Sequence, residues 1–157
     1  MLYFGLKFLH IIGASVLLGT GAGIAFFMLL AHRSGNPAVI AGTARIVVIA
    51  DFLFTATAVV AQPVTGIALA YVAGYSLWEH WIVLSTVLYI ITGLFWLPVV
   101  WMQMELRREA EKSAAQSLPL TVRYHKLFRT WFAFGFPVFG SVIAIYWLMI
   151  ARPPELW

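Results

Sequence analysis

Residues 6–35 read LKFLHIIGASVLLGTGAGIAFFMLLAHRSG, and the fold turns on which solvent this stretch belongs in. Between His10 and His32 there is no Lys, Arg, Asp or Glu, and there are four glycines, Gly13, Gly19, Gly21 and Gly23. A helix rising 1.5 Å per residue needs about 20 such residues to cross about 30 Å of hydrocarbon. The stretch is long enough. In hydrocarbon each backbone N–H and C=O needs a partner within its own segment, which selects the helix.

The remaining sequence belongs in the same solvent. The 157 residues are 62% hydrophobic and 10% charged, against roughly 25% charged in soluble domains. Mean hydropathy is +0.91. So much apolar surface cannot fit inside a soluble core of this size. Four spans are expected, at about 8–31, 47–73, 81–104 and 131–151, with a linker at 105–130. The expected fold class is all-α, an integral membrane four-helix bundle, with residues 1–157 forming a single transmembrane domain.

Charge sets the orientation. The segments HRSGNPAVIAGTAR (32–45) and ELRREAEKSAAQSLPLTVRYHKLFR (105–129) hold eight of the ten Lys and Arg residues. The positive-inside rule places both in the cytoplasm. Both termini and GYSLWEH (74–80) then face outside, in a multi-pass protein of the bacterial inner membrane. No cleavable signal peptide is evident. MELRREAEKSAAQ extends the third helix, Pro119 ends it, and another helix starts near Thr121. The net charge of +4 points to topology and the lipid bilayer, with no nucleic acid partner.

Several chemistries are excluded. There is no cysteine, hence no disulfide, thiolate metal site, iron–sulfur cluster or thiol nucleophile. No G-x-S-x-G, H-E-x-x-H, P-loop or dinucleotide fingerprint occurs. The five methionines are scattered, so copper(I) has no thioether cluster.

Polar residues inside the spans are the candidates for function. His10 lies just inside the first span, with Gly13 and Ala14 one turn on. A neutral imidazole is the usual axial donor to haem iron, and small neighbours let a flat macrocycle approach. A histidine at a helix end also simply hydrogen-bonds water or headgroups. His10 and His32 share a face but stand about 33 Å apart along a helix, so they cannot share a ligand. Ser15, Gly19 and Gly23 form a small-xxx-small row expected to pack two helices, within the chain or in a homodimer. In the second span Asp51, Thr55, Gln62 and Gly66 recur near helical spacing, beside Thr65. Gln62 should face the bundle interior, to hydrogen-bond a cofactor or quinone or to join helices. Asp51 is expected to pair with Arg45 or Arg129. Ser85, Tyr89, Thr92, Trp96 and Gln103 line one face of the third span. Pro98 and Pro137 suggest kinks. His125 with Arg123, Lys126 and Arg129 makes a basic, aromatic membrane edge suited to lipid headgroups or haem propionates.

LKFLHIIGASVLLG…FFMLLAH and FRTWFAFGFPVFGSVIAIYWLMIARP resemble the first and last helices of the HemJ membrane protoporphyrinogen oxidases. These are b-haem proteins grouped with CopD-like membrane proteins. The whole chain is more similar to a bacterial family of predicted integral membrane proteins of unknown function. That likeness is carried by DFLFTATAVVAQPVTGIALA, LSTVLYIITGLFWLPVVWMQMELRR and YHKLFRTWFAFGFPVFG. The HemJ resemblance implies that His10 ligates haem b and that His32 matches a second histidine. It also implies that Arg129, Trp131 and Pro137 match a fourth-helix motif. One position departs: where that family has a functional lysine at the start of its third helix, this sequence has Ile82 or Ser85.

Two functions are therefore expected, from different classes. One is a b-type haem membrane protein acting in electron transfer or in HemJ-like oxidation of a porphyrin or quinol. His10 would ligate the iron, with His80 or His32 as further candidates. Gly13, Gln62, Ser85, Tyr89, Arg129 and His125 would surround the cofactor. The other is a cofactor-free bundle that carries a small molecule or scaffolds a partner.

Overall fold

The computed structural model describes residues 1–153; residues 154–157 of the expected domain lie outside it. Helix α1 runs Leu2–Arg33, and α2 runs Pro37–Ala50. A π-helical segment, Asp51–Thr55, carries α2 without a break into α3, Ala56–Ala73. Helices α4, His80–Ala115, and α5, Val122–Ala151, complete the chain. This gives four passes, each long and apolar enough to cross a membrane, and no strand among the described residues.

The second pass starts ten residues before the expected Val47, at Pro37. Asn36 caps it, its side chain accepting from the backbone N–H of Ala38 at 2.9 Å and of Val39 at 3.4 Å. Pro37 occupies the first helical position, where its missing N–H costs nothing. Ile40, Ala41, Ala44 and Val47 then form a buried helical face. Thr121 caps α5, accepting from Tyr124 N at 3.0 Å. Pro98 and Pro137 lie inside α4 and α5, and both helices continue through them.

The core lies at the basic end of the bundle. It joins Met28 and Ala31 of α1, Ile40 and Ala44 of α2, Leu106 and Ala110 of α4, and Tyr124 and Phe128 of α5. The reason is the solvent. Lipid tails are as apolar as leucine, so helix contacts in hydrocarbon lack a hydrophobic drive. Where the helices run past the apolar stretches, water supplies that drive. Away from this end, α3 packs principally on α1, and α4 on α5.

Ion pairs surround the basic-end core. Glu105 accepts from Arg108 and, at 2.8 Å, from Arg123. Glu109 accepts from the Thr121 hydroxyl at 2.6 Å. Glu111 accepts from Arg107 at 3.0 Å and Arg45 at 3.3 Å. At the opposite end Arg152 donates to the Tyr75 hydroxyl at 2.7 Å and lies over the Trp81 ring. This ties the end of α5 to the α3–α4 loop.

Acid should loosen the basic end. Burial, then the neighbouring His125, holds the His32 imidazole below its ordinary 6.5. Arg107 first, with Arg45, holds the Glu111 carboxyl below its ordinary 4.5. Both folded values are depressed, so both contributions are present at neutral pH and are lost as pH falls. The melting temperature of the detergent-solubilised protein is expected to decline from about pH 6.5 downward. In His32→Phe the decline above the carboxylate range should be smaller than in the wild type. An equal decline in both proteins would assign the acid effect to other groups.

The small-residue row is not used within the chain. Ser15 and Gly19 are exposed. A Cβ on Gly19 would meet nothing within 4 Å, and one on Gly23 would meet only Phe27 of its own helix.

Candidate functional site

The glycines that bring helices close are Gly13 and Gly66, where α1 crosses α3. A Cβ on Gly13 would collide with Gln62 Nε2, and one on Gly66 would stand 3.2 Å from His10 Cε1. The absent side chains leave room for a polar cluster in the membrane. Gln62, 8% exposed, donates from Nε2 to the His10 carbonyl at 2.9 Å. That carbonyl would otherwise bond only within its own helix, so the amide adds an interhelical link. His10 Nδ1 lies 2.9 Å from Thr65 Oγ1. The Thr65 hydroxyl sits 2.8 Å from the Ala61 carbonyl and 3.2 Å from the Gln62 carbonyl. With its single proton on either carbonyl, the hydroxyl oxygen is free to accept from a protonated His10 Nδ1. The Gln62 backbone is a second hydrogen-bond partner of the imidazole.

The other expected residues fall into separate places. The Ser85 hydroxyl is buried and donates to Trp81 O of its own helix at 2.6 Å. The Tyr89 hydroxyl donates to Val59 O, joining α4 to α3 one turn below Gln62. His80 opens α4. At the basic end, His32 stacks on Phe128 at 3.7 Å and 10°, with the Tyr124 hydroxyl 3.3 Å from its Nδ1. The His125 ring meets His32 edge-on at 5.7 Å. His125 and Arg129 are exposed. So His10, Gly13 and Gln62 come together, whereas His32, His125 and Arg129 gather at the far end of α1.

Asp51 does not make its expected ion pair. Arg45 reaches across to Glu111, and among the described residues no cation lies within 4 Å of the Asp51 carboxylate. Instead Oδ1 accepts from Trp96 Nε1 at 3.4 Å. The residue is 3% exposed, and among the described residues Oδ2 makes no hydrogen bond within 3.5 Å, with the Thr55 side chain nearby. It opens the π-helical segment, a distortion often found at functional positions.

Thr65 and Gly66 are the site residues whose roles were not legible. Their spacing from Gln62 marked a polar stripe, but not that the stripe meets His10.

Among the described residues no group of three or more His, Asp or Glu side chains could hold a metal ion. A haem asks less of the protein, since the macrocycle supplies the equatorial donors and one imidazole can supply an axial one. His10 is the partly buried imidazole of this cluster.

A family model described as "Predicted integral membrane protein (DUF2269)" matches residues 4–153. No curated protein and no solved structure matches the chain.

Proposed function

The chain belongs to the DUF2269 family of predicted integral membrane proteins, and from that premise we propose that it binds a b-type haem through His10 and serves electron transfer in the bacterial inner membrane. The observation that carries this reading is the hydrogen-bond relay at His10. In the tautomer this reading requires, Thr65 gives its proton to α3 and accepts from Nδ1, so that Nδ1 carries the ring proton and Nε2 keeps its lone pair. Metal-ligating imidazoles are oriented in this way, with the distal nitrogen hydrogen-bonded and the other on the metal.

Gln62 fixes the backbone at His10, and Gly66 gives the ring space against α3. When bound, a haem supplies one-electron chemistry. The residues of the chain set its basicity and surroundings. The HemJ-like reading of the first and last helices, which rests on the sequence motifs alone, implies the same ligand. Ile82 or Ser85 stands where that family has its lysine, which removes a cation able to meet a porphyrin carboxylate. Electron exchange with a quinone is thus favoured over porphyrin oxidation.

Substitution at Thr65 separates ligand positioning from packing. Thr65→Val keeps the shape and removes the acceptor. It is expected to weaken haem binding about 10–100-fold and to shift the reduced α band, while Thr65→Ser restores both. His10→Ala should abolish binding. If Thr65→Val retained the wild-type affinity and spectrum, the relay would be structural only. If wild type and His10→Ala were both colourless after expression with haem precursor, the cofactor-free carrier would replace this reading.

A further inference from the structure

Helices α4 and α5 leave a groove of about 500 Å³ at the basic end. Arg123, Lys126 and Thr130 line it together with the apolar Trp101, Met102, Val122 and Leu127. We propose that this groove binds the phosphate of an anionic phospholipid, with an acyl chain along Trp101 and Val122.

The charge fits an anion. Arg123 and Lys126 are three residues apart on α5 and so share a face. Arg123 directs Nη2 to Glu105 at 2.8 Å and holds Nη1 3.8 Å from Glu109. Its side chain remains 59% exposed, and its Nε–H has no partner among the described residues. Glu105 and Glu109 are balanced by Arg108 and Arg123. Lys126 is exposed and has no carboxylate within 4 Å among the described residues. Its charge is therefore uncompensated. Thr130 takes no part as a donor, because its hydroxyl donates to Lys126 O at 3.1 Å.

The apolar lining residues select a lipid over a soluble phosphate. Trp101 and Val122 are exposed large hydrophobics, placed where α4 passes from its apolar run into MELRREAEKSAAQ. Tryptophan at such a level sits among headgroups. A basic pocket between helices on the cytoplasmic side is suited to anionic headgroups. A free phosphate ester would leave Trp101 uncovered.

Trp101 also provides the readout. The full chain would be placed in nanodiscs of phosphatidylcholine containing a minor fraction of brominated phosphatidylglycerol or of brominated phosphatidylcholine. Quenching due to Trp101 is the part lost in Trp101→Phe. It is expected to be stronger with the brominated phosphatidylglycerol. Lys126→Gln leaves the Glu105 and Glu109 pairs intact, and should reduce the preference roughly five-fold. Arg123→Gln should reduce it further if the variant melts as wild type does. Inorganic phosphate should not compete. Equal quenching by the two brominated lipids, or a preference unchanged in Lys126→Gln, would overturn the proposal. Loss of the preference on adding inorganic phosphate would also overturn it, by assigning the groove to a soluble phosphate.

Discussion

Tyr124→Ala is expected to destabilise the protein by about 3–5 kcal/mol, measured as detergent-solubilised melting or chemical unfolding. The ring is 0% exposed. It lies parallel to Phe128 and His32, with its hydroxyl on His32 Nδ1. It therefore packs α5 against the end of α1. It stands in the part of the bundle beyond the apolar spans, where burial from water contributes fully. Tyr124→Phe keeps the ring and should cost only about 1 kcal/mol, the worth of one hydrogen bond. Val64 of α3 is the control, since it is exposed on a membrane-crossing helix and lipid can cover the gap left by alanine. If Tyr124→Ala cost no more than Val64→Ala, the basic-end core would not be the stabilising centre.

Gly13→Leu is expected to cost about 2–4 kcal/mol, and Gly19→Leu to be neutral or slightly stabilising. Both are glycines of the same helix. A Cβ at Gly13 would occupy the place of the Gln62 amide nitrogen. The amide must then leave the His10 carbonyl, or α1 must part from α3. Either outcome leaves a polar group without its partner where no water can replace it. A Cβ at Gly19 meets nothing, and leucine is a better helix former than glycine by about 1 kcal/mol. Equal losses at the two positions would contradict the close approach of α1 and α3. Gly13→Leu should also lower haem content, because it displaces the residue that anchors His10.

The four passes were legible because length and hydropathy alone decide what crosses a bilayer. The early start of the second pass was hidden by Gly42, Thr43 and Arg45, which read as a polar linker. The Asn36 cap and the buried stripe from Ile40 to Val47 outweigh them. Asp51 was expected to seek a cation, yet its partner is the indole of Trp96, and charge patterns cannot point to a neutral donor. The row at Ser15, Gly19 and Gly23 had the spacing of a packing face but points away from the other helices. Which face of α1 meets α3 depends on the turn at Ser34–Asn36 and on the added twist of the π segment. The same dependence explains why His10 and the Gln62–Gly66 stripe were each visible while their meeting was not. The turn makes α1 and the second pass antiparallel neighbours, but the register needed to pair His10 with Thr65 is a tertiary property.

The absorption spectrum of the purified protein, oxidised and then dithionite-reduced, tests the central claim most directly, with His10→Ala measured beside it. The expected result is a Soret band with sharp α and β bands on reduction in the wild type, and their absence from a His10→Ala protein that melts normally. A wild-type protein with no Soret band after expression with haem precursor would contradict the claim. So would a spectrum that survives unchanged in His10→Ala.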